Sequence, residues 1–262
     1  NHIFESNIIF KNKISGASKI NRIINFSQID EIPIFGSSRA EGSYIPSIIS
    51  EKESFNYGIS GTQSNIWLFF LETELKKNKD TDIIVNLDLG GLAYSDGDIG
   101  NYIPNLNKTK NIIKYEIKFY YSIPFIKYFG KYETYSKYYL NEYLNYTKIT
   151  DNGGSFEKNV LTKKKFKELI SKRKRTSTTF RVDEELLTKL NKLINLTDRK
   201  IFFVVAPYHS SYFEKYSNIT EANNFLTLLN NQKNSTVLDL RNYIKEDSLF
   251  MNTSHLNYEG AI

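Results

Sequence analysis

The 262-residue chain contains no cysteine. Disulfide scaffolds, thiolate zinc sites and cysteine nucleophiles are therefore excluded, while either side of a membrane remains open to it. Histidine is scarce. His2, His209 and His255 are the three present, too dispersed for a structural metal site. Five prolines and thirteen glycines exclude collagen-like and low-complexity classes. No apolar run approaches the ~18–20 residues of a membrane helix. Charge of one sign is not concentrated either. Lys and Arg number 35 against 29 Asp and Glu, a net charge of +6, without the focused stripe or known module that nucleic-acid binding requires. The first residue is Asn1 and the sole methionine is Met251. The natural start is thus expected upstream of this sequence, and a removed signal or anchor is compatible with that.

Hydrophobic residues make up 40% of the chain and charged residues 24%, enough for one sizeable core. Tyr, Phe, Lys, Ile and Asn are heavily used, which reads as AT-rich coding DNA, so a Tyr or Lys cluster carries less information here than usual. Short apolar runs ending in turn residues mark strands. They lie at Glu31–Phe35 before Gly36, Phe55–Ile59, Asp82–Leu89 before Gly90-Gly91, Lys200–Ala206 before Pro207, and Thr236–Leu240. Between them, Leu68, Leu71 and Leu75 at i, i+3 and i+7 predict a buried helix over 62–77, and a second helix is predicted over 222–231. A helix over 37–50 would be broken or kinked at Pro46. The first twenty-odd residues read as extended or partly ordered. Continuous apolar strands alternating with helices predict an α/β fold, a three-layer α/β/α sandwich on a parallel five-stranded sheet, as a single domain over 1–262. An aromatic and basic insert over 97–182, expected to be helical, interrupts it. Its basic run at 163–175 reads first as a solvated face, with attraction to an anionic glycan or membrane surface as the sharper alternative.

In open α/β sheets, ligands bind beyond the carboxyl ends of the strands. Gly36-Ser37-Ser38 follows the first predicted strand, where a helix start offers free N–H groups to an anion; a plain helix cap is the commoner use of such a sequence. Asn252-Thr-Ser-His255-Leu-Asn-Tyr-Glu-Gly-Ala261 follows the last strand, with Asn252 three residues before the histidine.

Together these stretches resemble the SGNH (GDSL-type) hydrolases and acyltransferases. The first block of that superfamily, Gly-Asp-Ser-x-x-x-Gly, is matched by Gly36-Ser37-Ser38 through Gly42, with Ser37 in place of the Asp, as in the DltD-like and polysaccharide O-acetyltransferase branch. The second is matched by Asn56-Tyr-Gly-Ile-Ser60-Gly61. The third, Gly-x-Asn-Asp, falls at Leu87-Asp-Leu-Gly-Gly91, with Leu92 where the Asn belongs. The fourth, Asp-x-x-His-Leu-Asn-x-x-Gly-Ala, is matched by Asn252 through Ala261, with Asn252 in place of the acid. The likeness covers both ends and leaves the insert unmatched.

The resemblance implies Ser38 as nucleophile, His255 as general base, Asn252 as the residue holding His255, and the N–H groups of Ser38 and Gly61 as oxyanion hole. No cofactor is implied. Leu92 removes a side-chain donor, and Asn252 can fix the tautomer of His255 without stabilising imidazolium by charge. A natural variant of low rate, an engineered inactivation and a degenerate binding protein all fit Asn252, and the first is favoured. Asp239 and Asp247 are alternative acids, although ordinary surface carboxylates are the plainer reading. His209, in Pro207-Tyr-His-Ser-Ser-Tyr212, and Arg39 are candidate substrate-binding residues; a structural hydrogen bond for His209 is as well supported.

The expected function is O-acyl transfer, of acetyl by preference, to a cell-surface polysaccharide or wall polymer, with a membrane protein as acyl donor. The expected location is the bacterial cell envelope, the chain being tethered through a missing N-terminal segment. The alternatives are a carbohydrate esterase or deacetylase using the same site, and a non-catalytic glycan-binding scaffold.

Overall fold

A computed structural model describes residues 7–8, 11–25, 29–50, 53–97, 123, 128–130, 132–144, 148–158, 162, 164, 167–168, 171 and 179–262. Its centre is a five-stranded, all-parallel sheet. The strands are β1 (Ile32–Phe35), β2 (Ser54–Asn56), β3 (Ile83–Asn86), β6 (Ile201–Val205) and β7 (Ser235–Asp239), in the order β2-β1-β3-β6-β7. This is the order of flavodoxin-like doubly wound sheets, in which the strand order reverses beside β1. Register is continuous across the middle, with Phe35 opposite Val85 and Val85 opposite Phe203.

The sheet buries its two faces unequally. Phe35, Ile83, Val85, Ile201, Phe203 and Val205 alternate onto one face and join the main apolar cluster. That face is covered by α1 (Gly16–Asn25), α4 (Ser64–Leu75), α6 (Glu184–Ile194) and α7 (Ile219–Asn230), which contact one another in that sequence. Helix α4 buries Ile66, Trp67, Leu68, Phe70 and Leu71, an apolar surface spread all round, as expected for a helix enclosed on most sides. The opposite face carries smaller pieces: α2 (Ser38–Ser43), α3 (Pro46–Ile49), the hairpins β4–β5 (Lys148–Asp151, Gly154–Glu157) and β8–β9 (Phe250–Asn252, His255–Leu256), and α8 (Tyr258–Ala261). Pro46 divides the segment after β1 into α2 and α3, because its ring and missing N–H cannot continue a helix.

Three elements depart from the sequence expectation. Helix α1 replaces the extended N-terminal segment; Ser15 caps it through Ser18 N–H, and Ile20 and Ile23 are fully buried. Helix α6 had no counterpart, although Asp183 caps it at Leu186 N–H and Leu186, Leu190, Leu193 and Ile194 form its buried stripe. The insert is not helical throughout. It holds a helix, α5 (Tyr132–Leu144), and the antiparallel β4–β5 hairpin. That hairpin turns at Asn152-Gly153, both with positive φ, the signature of a tight two-residue turn. A side chain at Gly153 would place its Cβ 2.2 Å from Asn56 O, so glycine lets the turn dock on β2. Residues 98–122 and most of the basic run 163–175 lie outside the described residues. Among the described residues no helix is long and apolar enough to cross a membrane.

Candidate active site

Chain geometry at the end of β1 delivers the first functional group. Gly36 adopts φ +145°, and a Cβ there would meet Ala40 Cβ at 2.7 Å and Asn86 Cβ at 3.0 Å. Only glycine allows the strand to turn this sharply into α2. Ser37 is the N-cap of α2 and accepts from Arg39 N–H, which leaves Ser38 as the first helical residue, half-buried at the strand end. A first-turn N–H has no intrahelical partner.

The β8–β9 hairpin delivers the second group. Asn252 Oδ1 accepts from the backbone N–H of Ser254 (2.8 Å) and of His255 (3.0 Å). This local turn fixes the loop. The same oxygen lies 3.1 Å from His255 Nδ1, and His255 Nε2 lies 2.9 Å from Ser38 Oγ. The three side chains are thus in line, all half-buried, at distances suited to proton transfer. Ser254 Oγ is a further neighbour, 3.0 Å from Asn252 Oδ1 and 3.2 Å from His255 Nδ1.

The residues after His255 hold the hairpin. Leu256 is buried. Asn257 donates from its backbone to Leu249 O and from its side chain to Ser248 O, and accepts from Gly260 N–H. At Gly260 a Cβ would lie 2.2 Å from Leu249 O. The His-Leu-Asn-x-x-Gly spacing is therefore a packing requirement of this loop.

A cavity of about 310 Å³ opens at Ser38. Its lining includes Gly61, Gln63, Trp67, Asp88, Gly91 and Arg181. Gly61 has φ +76°, and among the described residues no acceptor takes its N–H or that of Ser38. Two free backbone donors border one small cleft beside a hydroxyl, the elements an oxyanion hole requires. A larger hollow, about 790 Å³, lies between α7 and β7 around Phe213, Leu226 and Val237. None of Ser38, Asn252 and His255 lines it, so size does not locate the chemistry. At the position of the expected Asn, Leu92 is fully buried and forms a parallel bridge with Val182.

Arg39, a candidate substrate-binding residue, is held by partners within the protein. It is 3% exposed, its guanidinium donates to Ala206 O, Pro207 O and Ser254 O, pairs with Asp88 at 3.2 Å and stacks 3.4 Å over the Tyr208 ring. It braces α2 against the histidine loop, with cation–π attraction adding to its charged hydrogen bonds. His209 is likewise engaged. Its Nδ1 pairs with Ser211 and its Nε2 lies 2.9 Å from Asp247, while its backbone N–H donates to Thr253 O. Asp247 therefore serves His209, and Asp239 chelates Arg241 through both oxygens.

Sequence reasoning missed Asp88 and the Lys19–Glu41–Ser60 chain. Asp88 receives Ser37 Oγ–H, Asn86 Nδ2–H and the Arg39 pairing, so a carboxylate at the end of β3 underlies the Ser37-Ser38 turn. Lys19, fully buried, donates to Glu41 (3.1 Å) and to Gly58 O, while Ser60 donates to Glu41. This chain ties α1 and α2 to the loop that carries Gly61. Burial raises the phenols of Tyr44 and Tyr208 well above the ordinary tyrosine range, with the Arg39 charge opposing that rise.

No protein-family model and no curated protein matches the chain. Among solved structures, it is similar to one from Streptococcus pneumonia provisionally named a platelet activating factor, at 11% identity and a TM-score of 0.45, over 98% of this chain and 90% of that one.

Proposed function

We propose that the protein is an SGNH-type serine acyl-ester enzyme that works through a Ser38 acyl-enzyme, and that it transfers a short acyl group, acetyl by preference, to a hydroxyl of a cell-surface polysaccharide or wall polymer. The observation that carries this reading is the 2.9 Å contact of Ser38 Oγ with His255 Nε2 at the carboxyl edge of the sheet.

In this reading His255 Nε2 accepts the Ser38 proton as Oγ attacks the ester carbonyl. The N–H groups of Ser38 and Gly61 receive the oxyanion, each such donor being worth ~3–4 kcal/mol in well-studied sites. The imidazolium then returns the proton to the departing alkoxide, leaving acyl-Ser38. A second hydroxyl gives its proton to His255 and attacks the acyl carbonyl, and the imidazolium returns that proton to Ser38 Oγ as it leaves. If that hydroxyl belongs to a sugar the result is transfer; if to water, hydrolysis. Asn252 Oδ1 accepts His255 Nδ1–H and so keeps Nε2 free to act as base.

A cavity of about 310 Å³, at the small end of ligand sites, suits a short acyl chain with part of a polar alcohol. The donor partner and envelope location belong to the same proposal. Its test supplies 4-nitrophenyl acetate with a xylo- or chito-oligosaccharide. O-acetylated oligosaccharide, formed by wild type and absent with Ser38→Ala, is the expected product. Free acetate alone would assign the protein as an esterase, and Ser38-independent release would refute the acyl-enzyme.

A further inference from the structure

Charge around the Ser38 cavity is mostly cancelled within the protein. Asp88 is divided among Ser37, Asn86 and Arg39. Asp183, two residues from Arg181, is spent on the N–H groups of Tyr94 and Leu186. Arg181 is the exception. It lines the cavity together with Ser38, Gly61, Gln63 and Trp67. It is exposed, and among the described residues no carboxylate, carbonyl or ring partners it.

The backbone on both sides of Arg181 is fixed. Phe180 donates to Asn218 Oδ1 at 2.6 Å and accepts from Asn218 Nδ2 at 3.0 Å, and its ring stacks on Tyr216 at 3.8 Å. On the other side Val182 bridges Leu92, and Asp183 N–H donates to Leu92 O at 3.1 Å. The residue that removes the family's side-chain donor is thus the one whose backbone draws segment 180–183 to the cleft.

A guanidinium is charged at every relevant pH and presents paired donors that match a carboxylate or phosphate. Exposure suits it to a formal anion on a bound molecule. A transient oxyanion calls instead for a desolvated donor. Resting on the acyl-ester reading, we infer that Arg181 binds a carboxylate or phosphate on the alcohol portion of the substrate, the part that leaves in hydrolysis and attacks in transfer. The substrate class is then an acylated anionic alcohol. The contact weakens as salt rises, since the site is open to solvent.

The test titrates the Ser38→Ala protein, by NMR, with 4-acetoxybenzoate, 4-acetoxyphenyl phosphate and the neutral 4-acetamidophenyl acetate. One or both anionic esters should bind at least tenfold tighter than the neutral one. That preference should vanish when Arg181→Ala is added and largely survive Arg181→Lys. The tighter of the two anionic esters identifies carboxylate or phosphate. Equal affinities, no binding of either anionic ester, or a preference untouched by Arg181→Ala would overturn the assignment. Turnover of the same esters by wild type is scored separately. An Arg181-dependent preference with no Ser38-dependent turnover would leave the anion site standing and remove the acyl-ester reading.

Discussion

Replacing Asn252 by Asp should raise ester turnover. Asp→Asn at this place in a serine triad costs ~10⁴ in turnover where the amide also holds the imidazole in the wrong tautomer. Here the backbone N–H groups of Ser254 and His255 pin Oδ1 toward His255 Nδ1, so the tautomer is already correct. What the amide does not supply is a charge to stabilise the imidazolium. Two unit charges ~4 Å apart attract by about 4 kcal/mol at an effective dielectric of ~20. The site is half-open, and solvent screening reduces this to about 1.4–2.7 kcal/mol, a gain of ~10–100-fold in rate. A carboxylate also suits the surroundings better. Asn252 Oδ1 faces four donors, from Ser254 N, Ser254 Oγ, His255 N and His255 Nδ1, whereas an amide oxygen has two lone pairs and a carboxylate about four acceptor sites. The assay is kcat/KM for 4-nitrophenyl acetate near neutral pH, with circular dichroism to check the fold. An unchanged or lower rate in a folded Asn252→Asp protein would refute the assignment of Asn252 as the partner of a catalytic imidazole.

Further outcomes follow from the frame around the site. Glu41→Gln strands the fully buried Lys19 ammonium and should cost about 3–5 kcal/mol in denaturant melts, part of which Lys19→Met should restore; a loss under about 0.5 kcal/mol would contradict the pairing. Gly36→Ala forces a Cβ to within 2.7 Å of Ala40 Cβ at φ +145° and should cost roughly 2 kcal/mol or more, while a neutral result would mean the turn relaxes freely. Stability should also fall above about pH 10. Tyr57 and Tyr208 are buried and their phenols raised well above that value, so they ionise first in the unfolded chain. Their contribution is complete below the unfolded value and is lost as pH rises toward the folded one. Flat thermal midpoints from pH 9 to 11 would contradict this.

The sheet was legible in the sequence because its strands are short, apolar and stopped by glycine, proline or a polar turn. Those signals are local. Strand ends in turn located Ser38 and Gly61, and the Asn252–Ala261 spacing located the histidine loop. Helices α1 and α6 carried local signals too, a Ser15 cap and an Asp183 cap before a leucine stripe, but short polar-rich amphipathic segments are easily read as loop. The Asn152-Gly153 hairpin lacked clean alternation in its flanks. Arg39, Asp88 and Lys19 could not have been placed from sequence. Their roles arise from partners brought from other elements, and a buried cation has the same letter as a solvated one.

The most direct measurement is mass spectrometry of the protein after treatment with a fluorophosphonate. One adduct, mapped to Ser38 and formed far more slowly by His255→Ala, is the predicted result. An unlabelled Ser38 in folded wild-type protein, or labelling indifferent to His255, would contradict the pairing of these two residues as nucleophile and base.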